Sequence, residues 1–243
     1  MKLAFTLLDW QASAPGLNEQ ADWQQWASQP PGIDACQPMA KTRFLPMMTA
    51  RRLMGGSRAA VESGLALIGR QRVDAIVFTS RHGELERNLR ILTSLANEES
   101  LSPTDFAMSV HNAAVGSLTI AAAAPLVSTS LAAGVDSFQQ GLVEVSALHS
   151  AGYQQVLLVD FDGAIPEFYH PHLPVGAMHS PYAVALLLAA GDACCCQSSL
   201  ADNQQDAGGL PQSLQFIHAW LARTCAFTLK GDRLNWAWAC RYD

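Results

Sequence analysis

Long apolar runs are missing from this 243-residue sequence. The longest, Leu118–Leu126 and Ala183–Ala190, fall short of the roughly 20 residues that span a bilayer. An excess of basic charge is missing too. Fifteen Lys and Arg stand against 21 Asp and Glu, a formal net charge of −6. Nucleic acid and anionic membranes need clustered Lys and Arg, so both are excluded as main partners. Arg51-Arg52 is too small a cluster to reverse that. No CxxC pair occurs among Cys36, Cys194, Cys195, Cys196, Cys225 and Cys240. Three of these are adjacent, and adjacent cysteines rarely pair, so the expectation is a reduced set in a reducing compartment. There is no internal repeat, no low-complexity segment and no Gly-x-Ser-x-Gly elbow.

What is there is a chain that can bury a core. It is 49% hydrophobic and only 15% charged, which argues against disorder. Its length allows one large domain or two small ones. The N-terminus, MKLAFTLLDWQASAPG, has one Lys and a short apolar run that Asp9 interrupts. It reads as a first strand, Leu3 to Leu8, rather than a targeting signal, and the chain is expected to be cytoplasmic.

Hydrophobic periodicity then gives an order of elements. Trp23 and Trp26 sit three apart on a helix that Pro30-Pro31-Gly32 stops. MMTARRLMGGSRAAVESGLALIGR is mostly helical with a break at Gly55-Gly56. VDAIVFTS (Val73–Ser80) is a buried strand. GELERNLRILTSLANE is an amphipathic helix with Leu85, Leu89, Leu92 and Leu95 on one face. A loop leads into a small-residue helix, Ala113–Ala122, whose Ala113, Ala114 and Gly116 form a seam for close packing. STSL is a short strand, and the helix SFQQGLVEVSALHSAG closes at Gly152, a C′ glycine. Val156–Val159 and SPYAVALLLAA are strands, and the Cys194–Cys196 run reads as a strand end. Leu200–Gln212 is a polar surface loop. A late helix turns Leu214, Ile217 and Leu221 inward. A hairpin around Lys230-Gly231-Asp232 carries Leu234, Trp236 and Trp238 on one face. Strands alternating with helices predict an α/β fold, a central mixed sheet flanked by helices.

Ala132-Ala133-Gly134 is the kind of strand-to-helix turn on which α/β enzymes expose a nucleophile, yet it offers only Gly134, Val135 and Asp136. Other chemistry-bearing residues have plainer readings. His111 is a candidate base, or a structural hydrogen-bonding residue where no nucleophile adjoins it. Ser128 and Ser130 are candidate nucleophiles without an elbow. Ser80-Arg81-His82-Gly83 is a candidate functional loop or an exposed helix entry. His170 and His172 flank a proline as a weak metal pair or as solvated side chains. Asp160 and Asp162 end a strand as cation ligands or as hydrogen-bonded turn residues. None of these patterns calls for a metal or a cofactor.

Ser102-Pro103, followed by Asn112, Gly116, Leu118, Thr119 and Ile120, resembles the Ser-Pro…Asn-x-x-x-Gly-x-Leu-Thr-Ile pattern of β-ketoacyl synthases, the condensing enzymes of the thiolase fold. Ungapped counting from Asn112 or from Gly152 puts the family's nucleophilic cysteine on Val135 and its following serine on Ser137. The family's paired glycines fall on Asp160 and Phe161, a departure. SRHGELERN and SPTDFAMSVHNAAVG are similar to a shorter ketosynthase-like group found beside a true ketosynthase in aryl polyene pathways. That group resembles chain-length factors, the non-catalytic partners of type II polyketide ketosynthases.

The resemblance implies one truncated ketosynthase-like domain over residues 1–243, ending about where the histidine-bearing half of a ketosynthase begins. It implies no catalytic residue, because valine at the nucleophile position neither attacks nor carries an acyl group. It implies a complete β-ketoacyl synthase as partner, an acyl carrier protein met only through that partner, and no cofactor. The strand with Val127 and Leu131 is expected to pair across the dimer axis. The loop Asp105–His111, leading to Asn112, is expected to close the partner's acyl tunnel with Phe106, Met108 and Val110. The competing expectation is a stand-alone acyl-thioester hydrolase or decarboxylase, which needs a Ser within hydrogen-bond reach of a His in a pocket.

Overall fold

The computed structural model describes residues 1–201 and 209–242. Most of the expected loop Leu200–Gln212 lies outside the described residues. The elements are β1 (Lys2–Ser13), α1 (Gln20–Ala27), α2 (Met47–Arg52), α3 (Gly55–Ile68), β2 (Ala75–Thr79), α4 (Leu85–Ala96), α5 (Pro103–Ala107) and α6 (Ala113–Ala121). There follow β3 (Val127–Leu131), α7 (Ser137–Ser150), β4 (Gln155–Asp162), β5 (Tyr182–Leu200), α8 (Gln212–Leu221), β6 (Ala226–Lys230) and β7 (Leu234–Cys240). Short 3₁₀ turns cover Gly134–Asp136 and Glu167–His172.

The seven strands among the described residues form one mixed sheet in the order β3-β2-β4-β5-β7-β6, with β1 on the other side of β5. β2 pairs in parallel with both β3 and β4, and the remaining ladders are antiparallel. The period-2 alternation of strand side chains divides the core in two. Val77, Val156, Leu158, Leu186 and Leu188 face α7, α8 and α1; Ile76, Phe78, Leu157, Val159 and Leu187 face α3 and α6. Trp10, Trp23 and Trp26 pack edge to face under α1, with ring centroids 6.5 and 5.2 Å apart. The mixed sheet flanked by helices is the architecture that the alternation of elements predicts.

Four expectations need correction. First, Cys194 and Cys240 are bonded to each other. The antiparallel register of β5 and β7 sets these two positions opposite, with Cα atoms 4.2 Å apart. Spacing along the chain carries no sign of that pairing. Second, the strand SPYAVALLLAA and the strand end at Cys194–Cys196 are one element that goes on to Leu200: β5 runs 19 residues through the cysteines, taking β1 and β7 as neighbours. Third, Gly116 does not supply the close-packing seam: a Cβ there would meet nothing within 4 Å. The close approach is made from the other helix. At Gly64 of α3 a Cβ would lie 2.9 Å from Leu118 Cδ2, so α3 gives up a side chain to let Leu118 of α6 seat. Fourth, residues 103–107 of the expected loop are helical, capped by Ser102 Oγ, which accepts from the Asp105 N–H at 3.2 Å.

Gly56 marks the tightest helix-to-sheet contact. A Cβ built there overlaps the backbone carbonyl of Asp162, which holds the start of α3 against the end of β4. Gly56→Ala is therefore expected to destabilise the fold by about 1–3 kcal/mol through forced separation of α3 and β4. Urea unfolding of the purified variant, with an unchanged m-value and a lower midpoint, is the check.

Candidate functional site

Three structural details hold the strand-to-helix turn. Gly134 takes φ +60°, a left-handed conformation that reverses the chain between β3 and α7. Ser137 Oγ accepts from the Ala133 N–H at 2.9 Å and donates to the Gly134 carbonyl at 2.8 Å. Asp136, buried at the start of α7, anchors the far side of the sheet. Its carboxylate accepts from Gln212 Nε2 at 3.0 Å, Trp236 Nε1 at 3.1 Å and the Asp232 N–H at 3.2 Å. Sequence reasoning missed Asp136. An acidic residue at a helix N-terminus is a visible signal, but its partners lie 76 to 100 residues downstream. Val135 is half-buried and lines a cavity of about 320 Å³. Its side chain offers only carbon to that space.

Two carboxylates from the end of β4 form the inner wall of the same cavity. Asp160 accepts from Thr79 Oγ1 and Ser213 Oγ at 2.5 Å each and from the Tyr182 hydroxyl at 3.0 Å. Asp162 accepts from Ser80 Oγ at 2.6 Å and the His82 N–H at 2.8 Å. Burial pushes both carboxyls up, to about 6, against the lowering effect of these donors. Burial, and next the charge of Arg81, pushes the His82 imidazole down to about 4, so that ring is neutral at pH 7. His170 is committed to the Ile165 carbonyl at 2.8 Å. Among the described residues no group of three or more His, Cys, Asp or Glu is placed to hold a metal ion.

The residues expected at a partner surface lie elsewhere. Among the described residues β3 is an edge strand, paired with β2 alone. Val127 on it is 49% exposed and Leu131 is half-buried. Phe106 projects from α5 at 66% exposure and Val110 at 50%, while Met108 packs partly into the core under α6. Asn112 is exposed at the start of α6. His111 bridges: Nδ1 lies 2.7 Å from Ser130 Oγ on β3, and Nε2 lies 3.2 Å from the Ser80 carbonyl. A carbonyl only accepts, so Nε2 carries a proton, while the one O–H of Ser130 lies between Nδ1 and the His111 carbonyl, 3.1 Å away. The Ser–His contact that the hydrolase expectation requires is thus present, but neither residue lines the cavity.

The leucine face of α4 is turned outward. Leu92 and Leu95 are 55% and 54% exposed, and the one buried residue of the helix is Arg87. Arg87 pairs with Asp105 and Glu84 and donates to the Arg52 carbonyl at 2.7 Å. Arg90 reaches Asp105 at 3.2 Å. A buried ion-paired arginine thus ties α5, and Phe106 with it, to α4.

Comparisons with known proteins join these features. The family model of the β-ketoacyl synthase N-terminal domain matches residues 23–239. The chain belongs to the β-ketoacyl synthase family. A chain in the structure of the ketosynthase ApeO in complex with its chain length factor ApeC, from Xenorhabdus doucetiae, is 52% identical to it. The match covers 98% of this chain and 99% of that one, with a TM-score of 0.94. The ishigamide ketosynthase/chain length factor shares the fold at 13% identity and TM-score 0.63, over 81% of this chain and 67% of that one. So does a chain of the AntDE:AntF complex, in which a type II polyketide synthase acyl-carrier protein binds its ketosynthase. That match has 9% identity and TM-score 0.68, over 99% and 100% of the two chains. No curated protein matches. Within this family the thiolase-like sheet is shared, and the turn before α7 is where the sequence resemblance puts the nucleophile.

The buried carboxylates make stability depend on pH. Their folded values near 6 lie above the ordinary 3.8. Between these, the folded state keeps protons that the unfolded state has lost. Their contribution is fully present below about pH 4 and is lost as pH rises through 6. Asp160→Asn is expected to remove part of that slope. The wild type should lose on the order of 2 kcal/mol relative to the variant between pH 4 and 7, measured by chemical unfolding at each pH.

Proposed function

We propose that this chain is a chain-length factor, the non-catalytic partner of a complete β-ketoacyl synthase, and that it shapes the partner's acyl tunnel in aryl polyene-type polyketide synthesis. The observation that carries the reading is the end-to-end similarity to a chain of the ApeO–ApeC complex. Three local features support it. Val135 on the nucleophile turn has no nucleophilic atom, which favours a subunit inactive in condensation. The β3 edge lacks a partner strand among the described residues. Phe106 and Val110 have exposed side chains.

In this reading residues 1–243 act as one ketosynthase-like domain without cofactor or metal. The carrier protein is met through the partner, and the complex works in the cytoplasm. β3 joins the corresponding strand of the ketosynthase, with Val127 and Leu131 in the joint and His111 fixing the strand from behind. Asn112 opens the helix behind the loop that carries Phe106, Met108 and Val110 to the partner's tunnel.

The 2.7 Å contact between His111 and Ser130 supports a second reading, an acyl-thioester hydrolase. Its weakness is position: Ser130 sits on an edge strand, away from the cavity, with its hydroxyl also 3.1 Å from the His111 carbonyl. Acylation of Ser130 by an acyl-carrier thioester, seen by intact mass, is the result that favours it over the partner reading.

Co-expression with a complete β-ketoacyl synthase of the aryl polyene type tests pairing. The two chains should co-purify at equal stoichiometry, and Val127→Asp should break the pair, because a charge in a paired edge is left without solvent. Retention of the pair in Val127→Asp and Leu131→Asp alike would remove β3 from the interface.

Tunnel length has its own test. Each CH₂ that a growing chain buries gains about 0.8 kcal/mol, so a wall that prevents burial strongly disfavours further extension. Phe106→Ala and Met108→Ala are expected to lengthen the products of the reconstituted pair by one or more extension units, read by mass spectrometry. Phe106 sets the harder limit because methionine reshapes to fit. Unchanged lengths with an intact pair would leave this chain a scaffold.

A further inference from the structure

The Cys194–Cys240 bond is buried, and a third cysteine stands one strand away from it. Cys194 and Cys240 are 4% and 3% exposed, which shields both sulfurs from thiols in solution. β5, β7 and β6 are consecutive in the sheet. Cys194 on β5 pairs with Cys240 on β7. Across β7, the ladder with β6 runs from Lys230 opposite Asn235 to Ala226 opposite Ala239, and its next position sets Cys225 opposite Cys240. The Cys240 N–H donates to the Cys225 carbonyl at 2.8 Å, as that register requires. Directly opposed residues share a face. Phe227 and Leu229 of β6 meet Trp238 and Trp236 of β7 on the core face. By the same alternation Cys225, Cys240 and Cys194 stand in a row across three strands. Cys225, at the outer end of the row, is exposed.

The two joints of this row differ in kind. The Cys240 N–H points to β6, so Cys240 and Cys194 form a non-hydrogen-bonded pair, with Cα atoms 4.2 Å apart. Cys225 and Cys240 form a hydrogen-bonded pair, in which Cα atoms stand about 5.5 Å apart. A disulfide spans that distance as well, so Cys240 can bond to either neighbour. Exchange at sulfur needs the attacking, central and leaving sulfurs nearly in line, and three cross-strand neighbours supply that order. The Cys225 thiol rests 4.0 Å from the Arg223 carbonyl, a contact too long to hold it. Two other cysteines of β5 are placed differently. Cys195 is exposed on the opposite face. Cys196 shares the core face, but burial pushes its thiol up to about 12, so it holds almost no thiolate.

We propose that Cys225 is a thiol–disulfide exchange site for a low-molecular-weight thiol of the glutathione type, and the route by which that thiol and its disulfide break and make the buried Cys194–Cys240 bond. In opening, the Cys225 thiolate attacks Cys240 Sγ. The Cys194–Cys240 bond breaks, and its electron pair leaves on Cys194, which takes up a proton. A glutathione thiolate then attacks Cys225 Sγ and frees Cys240, leaving a mixed disulfide on Cys225. A second glutathione attacks the glutathione sulfur of that mixed disulfide and restores the Cys225 thiolate. Two glutathiones are oxidised to one disulfide, one protein disulfide is reduced, and closing is the reverse. The bond joins positions 46 residues apart, with α8 and β6 between them. α8 carries Gln212 and Ser213, the donors to Asp136 and Asp160, so the state of the bond bears on the unit that braces the turn.

The test is exchange of the purified, folded full chain with glutathione, quenched by alkylation and mapped by peptide mass spectrometry. Before reduction Cys36, Cys195 and Cys225 should be alkylated, and Cys194 and Cys240 should not. Under reduced glutathione, Cys225→Ser should slow opening of the bond by about tenfold or more, because attack then waits for local opening of the β5–β7 ladder. Cys195→Ser, which removes an exposed thiol from the other face, should leave the rate unchanged. Cys194→Ser treated with glutathione disulfide should form a Cys225–Cys240 bond and no bond to Cys196. If Cys194→Ser fails to fold, the rates of the two surface variants decide the matter. None of these cysteines lies on β3 or α5, so the outcome is independent of pairing with a ketosynthase. Equal opening rates in the wild type and Cys225→Ser overturn the proposal. So does a folded Cys194→Ser variant without a Cys225–Cys240 bond, or alkylation of Cys194 and Cys240 in the unreduced wild type.

Discussion

β4 is buried on both faces, and the rest of the molecule is arranged around that constraint. Seven of its eight residues are buried. A strand enclosed on both sides must be apolar or must find partners inside the protein for every polar group. Val156 to Val159 meet the first condition. Asp160 and Asp162 meet the second by drawing hydroxyls from β2, β5 and α8 to one point. The helices come close for the same reason. A Cβ on Gly141 of α7 would lie 2.6 Å from Thr79 Cγ2 and 2.8 Å from Leu158 Cδ1. Gly56 of α3 sits directly on the Asp162 carbonyl. Covering β4 therefore fixes both helix layers to within the size of a methyl group.

Parallel pairing of β2, β3 and β4 brings their C-terminal ends to one side of the sheet. Open α/β sheets place ligands and catalytic groups at that side, because loops there diverge over exposed strand ends. Val135, Arg81, His82 and Asp162 all arrive there by topology. The turn with Val135 is over-determined for a residue without chemistry: Gly134 reverses the chain, Ser137 clamps it, and Asp136 ties it to α8 and β7. None of those ties runs through the side chain of Val135, so the geometry of the turn does not depend on the chemistry of the residue at that position.

Where local pattern sets the structure, it is legible in the residues. The β-branched run Val73–Ser80 gives β2, Trp236 and Trp238 alternate into the core, and Trp23 and Trp26 meet on α1. Where a residue's neighbour comes from far along the chain, legibility ends. Gly116 and Gly64 look alike in sequence, yet only Gly64 meets another helix. Cys194 and Cys240 pair because two strands share a register that neither encodes alone. The leucines of α4 have the periodicity of a core face, but the helix buries Arg87 instead, because Asp105 and Glu84 are positioned to receive it. At the turn, the resemblance singles out Val135, whereas the ties of Asp136 and the cavity emerge only with the fold in three dimensions.

β3 is the element whose construction asks for a partner. Edge strands of monomers are blunted by lysine, proline, a bulge or inward charge. VSTSL has no charge, no proline and an unbroken five-residue register with β2. Four of its five side chains are small or β-branched. Val127 on the strand is 49% exposed, and Phe106, Val110 and Ile120 on α5, the following loop and α6 are exposed apolar groups as well. The strand is also braced. Ser130 is hydrogen-bonded to His111, and His111 to the carbonyl of Ser80 on the loop after β2, so the edge is held against the sheet from outside its own ladder. A braced edge loses little conformational freedom when it pairs, and the cost of ordering an interface is a main reason that buried area fails to become affinity. The His111–Ser130 contact, which looks like the start of a catalytic relay, thereby braces the edge that the proposed pairing uses.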